Sequence, residues 1–461
     1  MSQIFISAAH KSSGKTLVST GLCAAYRRRG MRVAAFKKGP DYIDPAWLTR
    51  ASGSPCWNLD FFTMNQGEIL ACFEARRHGA DVTVVEGNKG LFDGLDVEGS
   101  DSNAALAVSL GLPVILVIDV TGITRGIAPL LAGYTGFDPD VRIAGVIMNR
   151  VAGPRQESKL RAAIERYSDL PVLGAIGRDS RLVIEERHLG LVPGNEDSGA
   201  SARIEKIADV IEATVDLDTV LSLTGRRPDP EPVAMTAPVK QSANSDDRVR
   251  IGIARDRAFG FYYPDDLDAF ENAGAELVPF NTLEDKRLPQ VEGLFIGGGF
   301  PECFLEELSA NGSLRSDIRS FIANGGPGYA ECGGLMYLSR SITWRGSEFP
   351  MVGVIAGDTK VSHRPVGRGY MRFRAMPNHP WPQVQAAAGR VYNVHEFHYS
   401  YLEKIDSPLT TVYSVERGHG LDGSRDGICV HNLLATYAHQ RHVVANPWVN
   451  AFVDFVRMSR G

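Results

Sequence analysis

The sequence predicts an α/β chain built as two successive domains, and three observations carry that expectation. Short Val/Ile-rich runs alternate with helical stretches through the first half, the same alternation restarts near residue 249, and a proline-rich polar tract lies between them. The expected boundaries are a first domain over 1–225, a linker over 226–248 and a second domain over 249–461. A length of 461 residues suits that division, because single cores stop growing at about 250–300 residues.

In the first half, Gln3–Ala8 reads as a strand and Thr16–Arg29 as an amphipathic helix, closed by three arginines and Gly30. Further strands are expected at Arg32–Phe36, Asp81–Val85, Pro113–Ile118 and Ile143–Met148. Near-continuous apolar strands of this kind fit a parallel sheet covered on both faces. The tract RRPDPEPVAMTAPVKQSANSDDR, from Arg226 to Arg248, is poor in large apolar residues and reads as the linker. Beyond it, a strand Val249–Ala254, a helix Pro264–Ala273 and a strand Gly293–Ile296 open the second domain.

Composition excludes several classes of function. With 44% hydrophobic and 22% charged residues the chain is an ordinary globular one. A net charge of -5 offers no basic face for nucleic acid or an anionic membrane, so a small substrate is expected. The N-terminus MSQIFISAAH has no signal-peptide character, and no apolar run approaches the ~20 residues that span a bilayer, so a cytoplasmic location is expected. Six scattered cysteines with no CxxC pair argue against a zinc site or a disulfide framework; five are expected to be buried filler.

The segment AHKSSGKT, Ala9 to Thr16, follows a strand and opens a helix, the setting in which backbone N–H groups cradle phosphates. Ser12, Ser13 and Gly14 form the turn, Lys15 supplies a cation for the outer phosphates, and Thr16 supplies a hydroxyl for magnesium. The strict pattern wants glycine where this chain has Ala9. After the second strand, FKKGPDYIDP packs Lys37, Lys38, Asp41 and Asp44 into one loop, which is costly to bury without partners such as phosphate and magnesium. Glu86 ends the run VVE at the carboxyl end of a strand, where open α/β sheets bind ligands and where it could hold magnesium. A solvated loop and a bracing acid are the structural alternatives for these two.

In the second half, GYAECGGLMYL, Gly328 to Leu338, reads as a strand turning sharply into a helix at Cys332. That turn exposes a sulfur at a helix N-terminus, where the dipole favours the thiolate. His439, after the apolar run NLLATYA, is the expected base, with His442 as the competing candidate. The loop GGGFPE brings Gly298 and Gly299, and the elbow brings Gly333, as candidate backbone donors to a developing oxyanion.

Taken together, the near-P-loop, the GPDYID loop (Gly39–Asp44) and the segment EGNKGLFDG (Glu86–Gly94) resemble the cobyrinic acid a,c-diamide synthase family. The resemblance covers nearly the whole chain. It implies a P-loop domain similar to dethiobiotin synthetase, followed by a flavodoxin-like class I glutamine amidotransferase domain. By that resemblance Lys15 and Thr16 bind ATP and Mg2+, while Asp41, Asp44 and Glu86 serve metal binding and acceptor activation. Glu185–Pro193 resembles the family's closing stretch of the ATP domain, and HEFHYS, His395–Ser400, is a further landmark in which Glu396 and His398 are structural or stabilise the thiol site.

The implied reaction uses L-glutamine as ammonia donor and a tetrapyrrole carboxylate as acceptor, with a homodimer as one compatible assembly. Amidotransferases of this class carry a glutamate two residues after the histidine, whereas this chain reads His439-Gln440-Arg441, so a dyad or an orienting group from elsewhere is expected. His10, Lys11, Asn88-Lys89 and Phe61-Phe62 resemble a branch thought to amidate siroheme. A third alternative, of another class, is a P-loop ATPase switch of the partitioning type with a vestigial amidotransferase domain. Its signature lysine would stand at position 10, which is His10 here, with Lys11 one residue out of register.

Overall fold

A computed structural model of the chain describes residues 2–179, 182, 186–187, 190–191, 199–224, 248–406 and 408–460. The expected linker, save Arg248, lies outside the described residues, as does the stretch Glu185–Pro193 apart from Glu186, Arg187, Gly190 and Leu191. Two compact units divide the chain: Met1–Phe61 with Asn65–Met235, and Thr236–Gly461 with Phe62–Met64.

The first unit holds strands Ser2–Ala8 (β1), Val33–Lys38 (β2), Cys56–Leu59 (β3), Val82–Glu86 (β4), Val114–Asp119 (β5), Ile143–Val151 (β6) and Val172–Gly177 (β7), and a short pair Glu186–Arg187 (β8) and Gly190–Leu191 (β9). Its helices are Lys15–Arg28 (α1), Ile43–Ser52 (α2), Gln66–Arg77 (α3), Asn103–Leu110 (α4), Ile127–Phe137 (α5), Pro154–Tyr167 (α6), Ala200–Thr214 (α7) and Leu217–Thr224 (α8). Seven strands form one sheet in the order β3-β2-β4-β1-β5-β6-β7. Every pairing is parallel. Buried apolar runs such as IFIS in β1 and VILVI in β5 make such a sheet, because both faces are covered. On one face Val18 and Leu22 of α1 pack with Ile207 and Ile211 of α7 in a common core. The strand ends β1, β2 and β4 therefore bring the Ala9–Thr16 loop, Lys37 and Glu86 to one edge of the sheet.

The second unit begins with Val249–Ala254 (β10), Phe259–Phe261 (β11), Pro264–Asn272 (α9), Ala275–Phe280 (β12), Gly293–Ile296 (β13), Gly298–Gly299 (β14), Leu305–Ala310 (α10), Gly312–Ala323 (α11), Gly328–Glu331 (β15) and Gly333–Leu338 (α12). It continues with Ser339–Trp344 (β16), Ser347–Pro350 (β17), Ile355–Val361 (β18), Gly367–Ala375 (β19), Pro382–Ala386 (α13), Val391–His398 (β20), Ser400–Glu403 (β21), Thr411–Arg417 (β22), Arg425–Val430 (β23), Leu433–Thr436 (β24) and Trp448–Met458 (α14). The main sheet runs β12-β10-β13-β15-β24-β23-β22-β19-β20. Its first five strands are parallel in the doubly wound flavodoxin-like order. The last four are an antiparallel extension that the strand reading of the sequence does not contain.

Behind β15, the Tyr329 ring lies 4.8 Å from Trp448 and 5.6 Å from Phe295. Such aromatic pairs contribute about 0.5–1.5 kcal/mol each beyond their burial, and here they fix the strand that carries Glu331 and Cys332. Among the described residues, no helix is long and apolar enough to cross a membrane. All six cysteines are free; of the five expected as buried filler, Cys23 and Cys56 are buried, while Cys72, Cys303 and Cys429 are only partly so.

Candidate functional site

The loop between β1 and α1 is shaped by its backbone. Ser12 has φ 63 and Gly14 φ 99, so the chain turns twice through the left-handed region before the helix begins. A side chain at Gly14 would collide with Asn149 Nδ2, which donates to the Ser13 carbonyl at 2.9 Å. Ser13 Oγ donates to the His10 carbonyl at 2.8 Å, and the Tyr134 hydroxyl donates to the Ala9 carbonyl. No side chain caps the start of α1, so its first N–H groups are left for an anion. Lys15 is 7% exposed and has no ion pair or hydrogen bond among the described residues. Burial, then the Lys37 cation, push its ammonium down to about 8.

Thr16, Lys37, Asp44 and Glu86 converge beside that loop. Glu86 Oε1 receives Thr16 Oγ1 at 2.9 Å and Lys37 Nζ at 2.7 Å, and Lys37 also reaches Asp44 Oδ2 at 2.5 Å. Burial works against the Lys37 cation, but Asp44 and then Glu86 outweigh it and hold the ammonium above its ordinary range. The partners expected for this buried charge were phosphate and metal; the protein's own carboxylates neutralise it. Burial raises Glu86, while Lys37 overcomes burial at Asp44 and lowers it.

Asp41 is at the margin of this group. Its Oδ2 is 4.0 Å from Lys37, and its Oδ1 accepts from the Ile43 and Asp44 N–H groups at 2.8 and 3.2 Å, bracing the start of α2. Lys38 is buried without an ion pair among the described residues, and burial holds its ammonium below the ordinary range. Among the described residues, no three His, Cys, Asp or Glu side chains are grouped to hold a metal by themselves. The donor set nevertheless fits magnesium, which takes hard oxygens, needs only one or two protein ligands beside phosphate, and would satisfy the buried Glu86 Oε2 that receives no hydrogen bond among the described residues.

In the second unit, Cys332 occupies the elbow between β15 and α12 with φ 48 and ψ -101, a conformation that non-glycine residues rarely adopt. The Cys332 N–H donates to the Thr436 carbonyl at 2.7 Å, tying the elbow to the end of β24. The side chain is buried rather than exposed, with Sγ 3.8 Å from the Phe397 carbonyl. Three residues past β24, His439 stands close enough to Cys332 for the sulfur to act on its imidazolium. Burial disfavours its imidazolium, yet the Cys332 sulfur and then the Glu331 carboxylate outweigh burial and push His439 up to about 10. The backbone N–H of His442, the competing candidate, donates to Asp266 Oδ1 at 2.7 Å, and it is His439 that acts on the Cys332 sulfur.

The glycine loop lies against the imidazole. A Cβ at Gly298 would stand 2.5 Å from His439 Cε1, and one at Gly333 would stand 2.9 Å from the Gly299 carbonyl oxygen. The Gly333 N–H has no intramolecular acceptor among the described residues. Glu396 and His398 brace a neighbouring loop: Glu396 accepts from the N–H groups of His419 and Gly420 at 2.7 and 2.8 Å, and His398 Nε2 lies 3.4 Å from its Oε2.

Three contributors escaped the reading of the sequence. Asn103 Nδ2 donates to the Gly90 carbonyl at 2.8 Å and its Oδ1 accepts the Asn88 N–H at 3.1 Å, shaping the segment after Glu86. His395 stacks on His439 with centroids 4.8 Å apart. Glu331 Oε2 lies 3.5 Å from His439 Nδ1. Only the last had a signal, a buried-strand acid adjoining the candidate nucleophile.

Comparison with known proteins agrees with both halves. Residues 4–192 match the CobQ/CobB/MinD/ParA nucleotide binding domain, and residues 250–446 match the CobB/CobQ-like glutamine amidotransferase domain. A cobyrinate a,c-diamide synthase from Magnetococcus marinus is 46% identical over 461 residues, covering 99% of this chain and 97% of that protein. Proteins of the same name from Methanosarcina acetivorans and Archaeoglobus fulgidus are 38% and 39% identical, covering 98% and 95% of this chain and 95% and 93% of theirs. Matched at such identity along nearly the whole of both chains, the chain belongs to the cobyrinate a,c-diamide synthase family.

Proposed function

We propose that the chain is an ATP- and glutamine-dependent ligase that amidates peripheral acetate carboxylates of a corrin-type tetrapyrrole. The observation that carries this reading is the Cys332–His439 pair on the same chain as a phosphate loop whose buried Lys15 makes no ion pair or hydrogen bond among the described residues. The residues up to 225 form the ATP-dependent half, those from 249 the glutamine-using half, and 226–248 connect them.

In the glutamine half, the Cys332 thiolate attacks the side-chain carboxamide carbon of glutamine. The N–H groups of Gly298, Gly299 and Gly333 face the oxyanion, and the free Gly333 donor supports that role. His439, having taken the thiol proton, returns it to the leaving nitrogen. Ammonia departs, a thioester remains on Cys332, and water activated by the same imidazole releases glutamate.

In the ATP half, Ser12, Ser13, Gly14 and Lys15 wrap the phosphates, with Lys37 and Lys38 adding positive charge beside them. Thr16 and Glu86 would hold Mg2+, with Asp44 and Asp41 at the rim. The ion, when bound, neutralises phosphate charge. The acceptor carboxylate attacks the γ-phosphorus, ADP leaves, and ammonia displaces phosphate from the acyl phosphate to give the amide.

Glutamine-dependent ATP hydrolysis, measured with cobyrinate and separately with siroheme, tests the acceptor. Stimulation by cobyrinate is expected; stimulation by siroheme alone would move the assignment to that branch, and stimulation by neither would overturn it.

A further inference from the structure

The position two residues after the histidine, where this class of amidotransferase keeps its acid, is Arg441. That side chain is fully buried and turned to another partner: it pairs with Asp265 Oδ2 at 2.8 Å and lies 5.0 Å over the Tyr263 ring. No acid can therefore reach His439 from its own strand end. The opposite side of the imidazole is filled instead by a carboxylate that the next strand supplies.

Glu331 closes β15 and immediately precedes Cys332. It is 2% exposed, and its two oxygens have separate tasks. Oε1 accepts the Tyr329 hydroxyl at 2.7 Å and the Gln440 N–H at 2.8 Å. Gln440 Nε2 in turn donates to the Tyr329 oxygen at 2.9 Å. These donors fix the carboxylate plane and leave Oε2 facing His439 Nδ1 at 3.5 Å. Such contacts are commonly long before substrate binds and tighten in the working complex.

We infer that Glu331 is the positioning carboxylate of the thiol site, holding His439 through Nδ1 so that Nε2 is presented to Cys332; the inference rests on the glutamine-using reaction proposed above. The Nδ1 proton is retained toward Glu331, which selects the tautomer whose Nε2 can accept the thiol proton. As His439 becomes imidazolium, the buried carboxylate stabilises the charge without itself taking up the proton. The third member of the site thus comes from the nucleophile's own strand, one residue before the cysteine.

The titratable and charged groups around His439 are Cys332 and Glu331 from the elbow, His395 from β20, and Arg441 beyond it. His395 is held well below its ordinary range by burial and then by His439 and Arg441, so it contributes a neutral ring. Glu331 is the carboxylate in that set.

The test is Glu331→Gln in the full chain. The amide keeps an oxygen for Tyr329 and Gln440 and removes the charge facing Nδ1. Glutaminase kcat is expected to fall on the order of 10²-fold, the lower end of what positioned acid–base groups supply, while ammonia-dependent amidation is retained. The limb of the glutaminase kcat/KM pH profile that reports His439 should move to lower pH, because the imidazolium loses the carboxylate that raises it. A merely structural glutamate would leave that profile in place; an unchanged profile with unchanged glutaminase kcat overturns the inference.

If Glu331→Gln also loses ammonia-dependent activity, Tyr329→Phe decides, since it removes one of the two donors that hold Oε1 and keeps the charge. A glutamine-specific loss supports the assignment, and an unaltered glutaminase kcat overturns it. Cys332→Ser run in parallel separates the two levels. If that variant still uses glutamine, the proposed function fails; if it does not and Glu331→Gln does so fully, only the role of Glu331 fails.

Discussion

His395 lies face to face with His439, their ring centroids 4.8 Å apart and their planes 15° from parallel. The two residues are also bridged through the backbone, the His439 N–H donating to the His395 carbonyl at 2.8 Å and the reverse bond measuring 3.3 Å. His395 is further held by the Tyr263 hydroxyl at its Nδ1, 3.3 Å away. A neutral imidazole clamped in this way acts as a wall that sets the tilt of the His439 ring.

His395→Ala is therefore expected to reduce glutamine-dependent kcat on the order of 10-fold to 10²-fold, the scale of a misplacement near 1 Å. His395→Phe, which keeps a flat ring, should retain more activity than the alanine variant. Steady-state kinetics with glutamine and with ammonia read both, and the ammonia reaction should be unaffected.

Gly298→Ala makes a sharper prediction about the same ring. Its new methyl would stand 2.5 Å from His439 Cε1, closer than carbon atoms pack, so the imidazole must move away from Cys332. A glutamine-specific loss on the order of 10²-fold is expected, again with ammonia use preserved. Wild-type glutamine turnover in this variant would contradict the placement of the loop.

Lys37 neutralises Asp44 and Glu86 where almost no water reaches. Lys37→Met would leave the buried Glu86 carboxylate, and the partly exposed Asp44 beside it, without their paired cation, at a cost of about 3–5 kcal/mol. Urea unfolding of the variant against the wild type measures that loss. Stability within about 1 kcal/mol of wild type would mean that the carboxylates protonate or rehydrate at little cost.

Lys15 gives a pH dependence whose sign follows from its environment. Burial and Lys37 push its ammonium down to about 8 in the free chain, whereas bound phosphate favours the charged form and raises it. Affinity for MgATP should be level below about pH 8 and weaken above it, by up to about tenfold per pH unit until the value in the complex is passed. Equilibrium binding from about pH 7 to about pH 9.5 reads this, and an affinity constant across that range would contradict it.

Much of this arrangement was legible because its chemistry is local in sequence. Lys15 and Thr16 follow a strand and a turn within one short loop, and Cys332 is followed at once by two glycines, so spacing alone exposes both sites. Strands Cys56–Leu59 and Val172–Gly177 escaped notice because they are short and interrupted by Asn58 and Gly174. The antiparallel extension was hidden differently. Gly367–Ala375 is rich in arginine, and only the alternation of buried Met371, Phe373 and Ala375 with exposed arginines marks it as a half-buried strand. Asn149, His395 and Glu331 act through partners remote in the chain, so their roles depend on register between strands rather than on any spacing. Glu331 adjoins Cys332 in sequence, yet its proposed role appears only when the end of β24 brings His439 beside it.

The most direct test of the central claim is nitrogen transfer. Wild-type protein is supplied with MgATP, cobyrinate and glutamine labelled with 15N in its side-chain amide, and the corrin product is weighed by mass spectrometry. The label should appear in the product amides, and Cys332→Ser should transfer none from glutamine while still incorporating 15N from labelled ammonium. Label transferred from glutamine by Cys332→Ser, or no labelled amide from the wild-type protein, would contradict the account.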